Sequence, residues 1–206
     1  MLSLNYNFVF VHIPKTAGNS IQNALKTYSD DKIVCLTSYQ DGVERFEVIS
    51  DLFNTNKHST LAEYKNEYGN TLFEKLFKFT CVRNPWERAI SYYFSPHRGQ
   101  VKWSRHDFIG FINQIQPVSH YISIGDGHQP LIHAVNNIDY IIRFESLEMD
   151  FRKTCDMIGI SATPLIVRNK STREAYNKYY DNETRDMVCE RFNEEIQYFG
   201  YSFNDA

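Results

Sequence analysis

One stretch near the beginning of the chain combines a lysine, small residues and a hydroxyl residue in an order that suits an anion. Residues 8–13 (FVFVHI) form a short apolar run typical of a buried strand, and residues 14–20 (PKTAGNS) connect it to a predicted helix. The free N–H groups of a first helical turn attract negative charge, and Lys15 adds a point charge. The spacing favours a phosphate-binding turn over an ordinary strand–helix turn capped by Ser20. It is not a Walker A loop, because the pattern GxxxxGK followed by Ser or Thr is absent.

A second stretch places an arginine where a buried strand is predicted to end. Arg83 follows the apolar run 77–82, and Ser91 lies eight residues later, inside the next predicted helix. A buried charge without a partner is costly, so Arg83 must face a carboxylate or an anionic ligand. With Ser91 it can grip one phosphate from two sides. Arg88, in the same helix, is expected to form a surface ion pair, and Trp86 either stacks on a base or packs in the core.

The elements that must position these residues alternate between strands and helices. The pattern predicts strands at residues 8–13, 32–36, 77–82 and 138–144. It predicts helices at residues 20–28, 43–53, 60–77 with a break at Gly69, 85–94, 105–115, 146–158 and 181–199. Strands separated by helices form parallel βαβ units, so we predict a three-layer α/β fold. Ligands bind beyond the carboxyl ends of such strands, which brings both anion-binding stretches to one edge.

Composition and length limit the class of protein. The chain has 206 residues, a formal net charge of −3, 42% hydrophobic residues and 23% charged residues, as in ordinary globular domains. Enough surface can be buried for one core, so we expect a single domain over residues 1–206. The mild acidity gives no indication of nucleic-acid binding, and no apolar run is long enough for a transmembrane helix. The four cysteines are too far apart for a CxxC pair.

Together, the two anion-binding stretches resemble the sulfotransferases that use 3′-phosphoadenosine 5′-phosphosulfate (PAPS). Residues 10–20 (FVHIPKTAGNS) are similar to that family's 5′-phosphosulfate loop, and residues 82–93 (VRNPWERAISYY) to its 3′-phosphate motif, including the arginine-to-serine spacing. The pattern resembles the carbohydrate O-sulfotransferases, such as the heparan sulfate 2-O and chondroitin enzymes and their bacterial relatives. Segments 142–151 and 198–201 fit the same group. The resemblance implies a P-loop-like parallel sheet flanked by helices.

The resemblance also implies roles for particular residues. Lys15 would contact the leaving phosphosulfate oxygen. The 5′-phosphate would be cradled by the five residues that follow: Thr16, Ala17, Gly18, Asn19 and Ser20. Arg83 and Ser91 would hold the 3′-phosphate, which distinguishes PAPS from ATP. Arg168 and Ser171, in a predicted loop that closes over the nucleotide, are further candidates for the 3′-phosphate side. No metal is required in this scheme.

Sulfuryl transfer to an alcohol benefits from a group that accepts the hydroxyl proton, and histidine suits this task near neutral pH. In the resembled carbohydrate enzymes a catalytic histidine precedes a helix between the two nucleotide motifs, and His58 occupies that place here. We therefore expect His58 to be the base. The alternative is an ordinary position at a helix N-terminus. The heparan sulfate 2-O enzymes carry two histidines separated by one residue at this place, whereas this chain has only His58 there.

The leading hypothesis is an enzyme that moves the sulfuryl group of PAPS to a hydroxyl of a saccharide or glycan. One alternative is an ATP-dependent P-loop-like kinase, which would need glycines before Lys15 and an acid instead of Arg83. Another is a non-catalytic module that binds a nucleotide without reacting it. Because the sequence shows no membrane anchor, we expect a bacterial cytoplasmic protein.

Overall fold

The computed structural model describes residues 1–36, 45–125, 129–168, 171 and 173–204. The strands of this part of the chain are β1 (Leu2–Ser3), β2 (Phe8–Val11), β3 (Lys32–Cys35), β4 (Phe46–Ile49), β5 (Phe77–Val82) and β6 (Tyr140–Arg143). The larger sheet has the strand order β1-β2-β5-β6, in which β2, β5 and β6 run parallel and β1 is an antiparallel edge strand. A separate antiparallel sheet pairs β3 with β4.

Helices cover both faces of the larger sheet. The helices of the described residues are α1 (Gly18–Leu25), α2 (Leu61–Phe73), α3 (Pro85–Tyr93), α4 (Arg105–Gln114), α5 (Val118–Ile122), α6 (Leu131–Ala134), α7 (Leu147–Ile158), α8 (Asn182–Arg191) and α9 (Asn193–Phe199). Successive side chains of a strand point to opposite faces. Accordingly, Val9 and Val11 pack with α2 to α6, α8 and α9, whereas Phe8 and Phe10 pack with α1, α7 and β4. The predicted three-layer α/β architecture is confirmed.

The carboxyl ends of β2 and β5 lie side by side. Every residue of β2 is buried, and five of the six residues of β5 are buried, as expected for the centre of a parallel sheet. Their parallel register places Val11 beside Thr80, and the Thr80 hydroxyl donates a hydrogen bond to the Val11 carbonyl at 2.7 Å. The loops that follow these two strands therefore leave the sheet next to each other.

The predicted helix at residues 43–53 is wrong, because its described part contains β4. Phe46 and Val48 are buried while Glu47 and Ile49 are not, which is the period of two of a strand. β4 pairs with β3. The predicted strand at residues 32–36 is therefore real but lies outside the parallel sheet.

The predicted helix at residues 181–199 is two helices, α8 and α9, interrupted at Phe192. The short elements β1, α5 and α6 escaped prediction because they are two to five residues long and depend on tertiary packing. The break at Gly69 is confirmed, with φ 70° and ψ 161° inside α2. α2 begins with a capping box between Thr60 and Glu63, which fixes the segment just before the helix.

None of the helices in the described part of the chain is both long and apolar enough to cross a bilayer. All four cysteines are free thiols, of which Cys81 and Cys155 are buried and Cys35 is exposed.

Two glycine substitutions should change stability in opposite directions. A Cβ atom at Gly110 or at Gly69 would meet nothing within 4 Å. The two alanine substitutions therefore differ only in the backbone conformation at the substituted position. Gly110→Ala, in the helical backbone of α4, should raise the free energy of unfolding by about 0.5–1 kcal/mol. Gly69→Ala should lower it by about 1–3 kcal/mol, because its positive φ with extended ψ is reserved for glycine. Urea titration of both variants measures this, and shifts of the same sign would contradict the assignment.

Candidate active site

The loop between β2 and α1 has a backbone shaped for an anion. Two residues other than glycine, Lys15 (φ 69°) and Ala17 (φ 66°), adopt the left-handed conformation, which costs about 1–2 kcal/mol per residue. α1 begins at Gly18 with no side-chain cap and no acidic residue in its first turn. The Ser20 N–H donates to the Ala17 carbonyl at 2.9 Å, whereas the N–H groups before it lie where a helix offers no acceptor of its own. A turn of this kind makes a concave nest for a negative group.

A cleft of about 790 Å³ opens at this edge of the sheet. Ten of the eleven predicted site residues line it: Lys15, Ala17, Gly18, Asn19, Ser20, His58, Arg83, Ser91, Arg168 and Ser171. The exception is Thr16, which is buried and whose hydroxyl donates to the Ile13 carbonyl at 2.8 Å. The Thr16 side chain therefore supports the loop from below. Asn169, Lys170 and Thr172, from the predicted closing loop, lie outside the described residues.

Lys15 is a partly buried cation among other cations. Its Nζ lies 3.3 Å from the Ser95 hydroxyl oxygen. Burial, followed by the charges of Arg83 and Arg173, lowers the pKa of Lys15 to about 8. The ammonium is still mostly protonated at neutral pH, in surroundings that disfavour its charge. An anion placed in the cleft would relieve this cost.

Arg83 and Arg173 converge on one carboxylate. Arg83 Nη2 donates to Glu87 Oε1 at 2.8 Å, and Arg173 Nη2 bonds to the same oxygen. The Arg83 guanidinium also lies 3.7 Å from the centroid of the Phe144 ring. Burial lowers the pKa of Arg83, and the Glu87 carboxylate opposes that shift. Two cations share one carboxylate, so this part of the cleft keeps an excess of positive charge for a ligand.

Arg173 is a site residue that the sequence analysis missed. Its Nε lies 3.2 Å from the hydroxyl oxygen of Ser171, and it lines the cleft with Ser171 and Arg168. A single arginine in an irregular loop carries no local signal. Its proximity to the motif residues Ser171 and Arg168 was the only available hint.

His58 is oriented by the backbone just after β2. Its Nδ1 lies 3.1 Å from the His12 carbonyl oxygen. A carbonyl only accepts, so Nδ1 carries the hydrogen and Nε2 keeps its lone pair. Burial lowers the pKa of His58 below its usual value near 6.5. His58 is therefore mainly neutral at pH 7, as a proton acceptor must be.

The expected surface ion pair of Arg88 is wrong. Arg88 is 1% exposed and pairs with Glu195, which is 2% exposed, at 3.6 Å between Nη1 and Oε2. Trp86 packs in the core, because it is 4% exposed, contacts Phe203 edge to face and donates from Nε1 to the Arg185 carbonyl. It does not line the cleft.

The Glu145 carboxylate, which follows β6 in the chain, takes part in structural contacts. Glu145 accepts hydrogen bonds from the Asn84 backbone N–H at 2.7 Å and from the Tyr201 hydroxyl at 3.3 Å. Among the residues that the structure describes, no group of three or more His, Cys, Asp or Glu side chains is placed to hold a metal ion.

A helix N-terminus and partly or fully buried cations at the carboxyl edge of a parallel sheet are features that suit a phosphorylated ligand. Comparison with known proteins gives the class. The chain belongs to the sulfotransferase family, whose model, described as "Sulfotransferase family", matches residues 1–202. This confirms the predicted transferase class and, in general terms, sulfuryl transfer. Among solved structures it is similar to a sulfotransferase from Alicyclobacillus acidocaldarius, at 14% identity over 96% of each chain and a TM-score of 0.45. No curated protein matches it significantly in sequence.

Gly18 is the position of the loop least able to carry a side chain. A Cβ atom there would lie 1.9 Å from His12 Cδ2, and the His12 ring is held between Phe10 and His58. Gly18→Ala should therefore displace the His12 ring and lower the free energy of unfolding by about 1–3 kcal/mol. Chemical denaturation tests this, with Gly110→Ala as the matched substitution. A Gly18→Ala protein as stable as wild type would contradict the tight contact.

Proposed function

We propose that the protein is a PAPS-dependent O-sulfotransferase whose acceptor is a hydroxyl group, on a saccharide or glycan. The observation that carries the proposal is the meeting of two anion-binding devices in one cleft. The left-handed loop with Lys15 follows β2, and Arg83 with Ser91 follows β5. A nucleotide with a phosphosulfate at one end and a separate phosphate on its ribose has two anionic groups to fill them.

The residues present fit the donor. The 5′-phosphosulfate would take the N–H groups of the loop at residues 15–20 and the charge of Lys15. The 3′-phosphate would take Arg83, Ser91 and Arg173, and Arg168 and Ser171 also line the cleft. The buried Nε of Arg83 has no hydrogen-bond partner among the described residues, and a phosphate oxygen would satisfy it.

The chemistry assigned to this chain is positioning, charge stabilisation and one proton transfer. The acceptor oxygen forms a bond to sulfur while the bond from sulfur to the bridging phosphate oxygen breaks. The hydroxyl proton moves to His58 Nε2, whose partner nitrogen is held by the His12 carbonyl. The electron pair of the broken bond stays on the phosphate oxygen, where Lys15 and the loop N–H groups stabilise the growing charge.

The donor site is tested by thermal unfolding with adenosine 3′,5′-bisphosphate, the product form of PAPS. At 100 times its dissociation constant the ligand should stabilise the protein by about 2.7 kcal/mol. ADP with EDTA should give far less, because it lacks the 3′-phosphate. Arg83→Ala should abolish most of the stabilisation.

The control for this experiment is Arg105→Ala. Arg105 lies away from the cleft and pairs with Asp181 and Glu183, so its loss should leave the stabilisation by the bisphosphate unchanged. Stabilisation by ADP only when Mg²⁺ is present would favour the kinase alternative. No response to either nucleotide would overturn the proposed donor.

The role of His58 is tested by His58→Ala. Turnover should fall by about 10²–10⁴-fold while the affinity for adenosine 3′,5′-bisphosphate stays within twofold. In the wild type, kcat/KM should fall on the acid side with a midpoint below 6.5, because His58 loses its lone pair on protonation and its pKa is lowered. The assay measures sulfate transfer from PAPS to whichever hydroxyl the wild type modifies in a panel of oligosaccharides.

The matched control is His120→Ala. His120 is exposed on α5 and does not line the cleft, so turnover should not change. Unchanged turnover in His58→Ala would refute the base assignment. A loss of bisphosphate affinity as large as the loss of turnover would indicate that His58 binds the donor. The base assignment would then fail, and the proposed donor site would be retained.

A further inference from the structure

Arg88 is among the largest fully buried side chains of the described residues, and it has no part in the chemistry above. Its three nitrogens reach three different parts of the fold. Nε donates to the Pro14 carbonyl at 3.3 Å, Nη2 donates to the Gln116 carbonyl at 2.8 Å, and Nη1 lies 3.6 Å from Glu195 Oε2. A buried guanidinium is expensive to desolvate, so its retention here calls for a reason.

The far end of this contact is the C-terminal helix α9. Glu195 is 2% exposed, and its Oε1 accepts the backbone N–H of Val118 at 2.8 Å. Burial raises the pKa of Glu195, and the charge of Arg88 opposes that rise. α9 therefore supplies a fixed carboxylate that sets the position of the guanidinium.

The near end is the loop at residues 14–20, the proposed phosphosulfate loop. Arg88 donates to the carbonyl of Pro14, and Arg83 Nη1 donates to the next carbonyl, that of Lys15, at 3.1 Å. Two guanidinium groups thus hold consecutive peptide carbonyls at the point where the backbone turns left-handed, at Lys15 and again at Ala17. Strained backbone of this kind persists only where surrounding contacts impose it.

We propose that the buried pair of Arg88 and Glu195 is a positioning device for the phosphosulfate loop. Through the Pro14 carbonyl, it keeps the loop N–H groups and Lys15 in the arrangement that receives the 5′-anion. Neither residue touches the ligand, so both are positioning residues. This inference rests on the proposed function, since it concerns the 5′ half of the donor site.

The test compares two nucleotides that share the 3′-phosphate. Adenosine 3′,5′-bisphosphate uses both halves of the site, whereas adenosine 3′-monophosphate uses only the half with Arg83. The dissociation constant of the monophosphate divided by that of the bisphosphate therefore reports how much the 5′-phosphate contributes to binding. Arg88→Lys keeps the charge but cannot reach three carbonyl and carboxylate groups at once. It should reduce that ratio by about tenfold, because a shifted loop loses its alignment with the anion, while the monophosphate affinity stays within twofold.

Glu195→Gln provides a second variant in case Arg88→Lys does not fold. It keeps the side-chain shape and an acceptor for Val118 but removes the charge that fixes Arg88. The ratio should fall in the same direction. Two controls should leave the ratio unchanged: Ile90→Val, which removes a buried methylene from the same helix α3, and Arg191→Lys, whose guanidinium donates to the Ile115 carbonyl rather than to the loop.

Calorimetric titrations at one pH and one salt concentration distinguish the outcomes. A selective loss of the 5′ contribution in Arg88→Lys or Glu195→Gln supports the proposal. An equal weakening of both nucleotides, or an unchanged ratio in folded variants, would overturn it. A wild-type protein that binds the two nucleotides equally would instead overturn the proposed donor site itself.

Discussion

The concentration of positive charge, buried or partly buried, at one edge of the parallel sheet is the constraint on which the site depends. Lys15, Arg83 and Arg173 lie around one cleft, and the carboxylate nearest to them is Glu87, which two of them share. Cations in a partly desolvated site repel one another and lose hydration, and the lowered pKa of Lys15 is the result. A ligand with several negative charges would offset this cost.

The sheet is what makes this concentration possible. Parallel pairing of β2 with β5 ends both strands at the same edge, and both strands are buried in the core. The loop after one strand and the arginine after the other are therefore neighbours although they are far apart in sequence. Arg83 completes the connection by donating to the Lys15 carbonyl. The pairing of β2 with β5 therefore determines the geometry of the site.

Much of this was predictable from the sequence because buried parallel strands are short apolar runs and the loops that follow them carry the polar chemistry. β2, β5 and the residues after them were found in this way. β4 was mistaken for a helix, since four residues of alternating burial give little periodic signal. Arg88 was placed on the surface because arginine on a helix normally faces solvent. Its partner Glu195 lies on another helix and became visible only in three dimensions, as did Arg173.

The two halves of the proposed donor site differ in kind, and the difference suits sulfuryl transfer. Around the loop at residues 14–20, the charge of the donor would be met largely by backbone N–H groups fixed by the fold, which need no rearrangement when negative charge grows on the leaving oxygen. On the other side, the charge would be met by the side chains of Arg83 and Arg173, already bound to Glu87. That end would be remote from the bond that breaks, so its contacts would hold substrate and transition state alike. In this proposal, rigidity matters most at the loop, where the buried Arg88 donates to the Pro14 carbonyl.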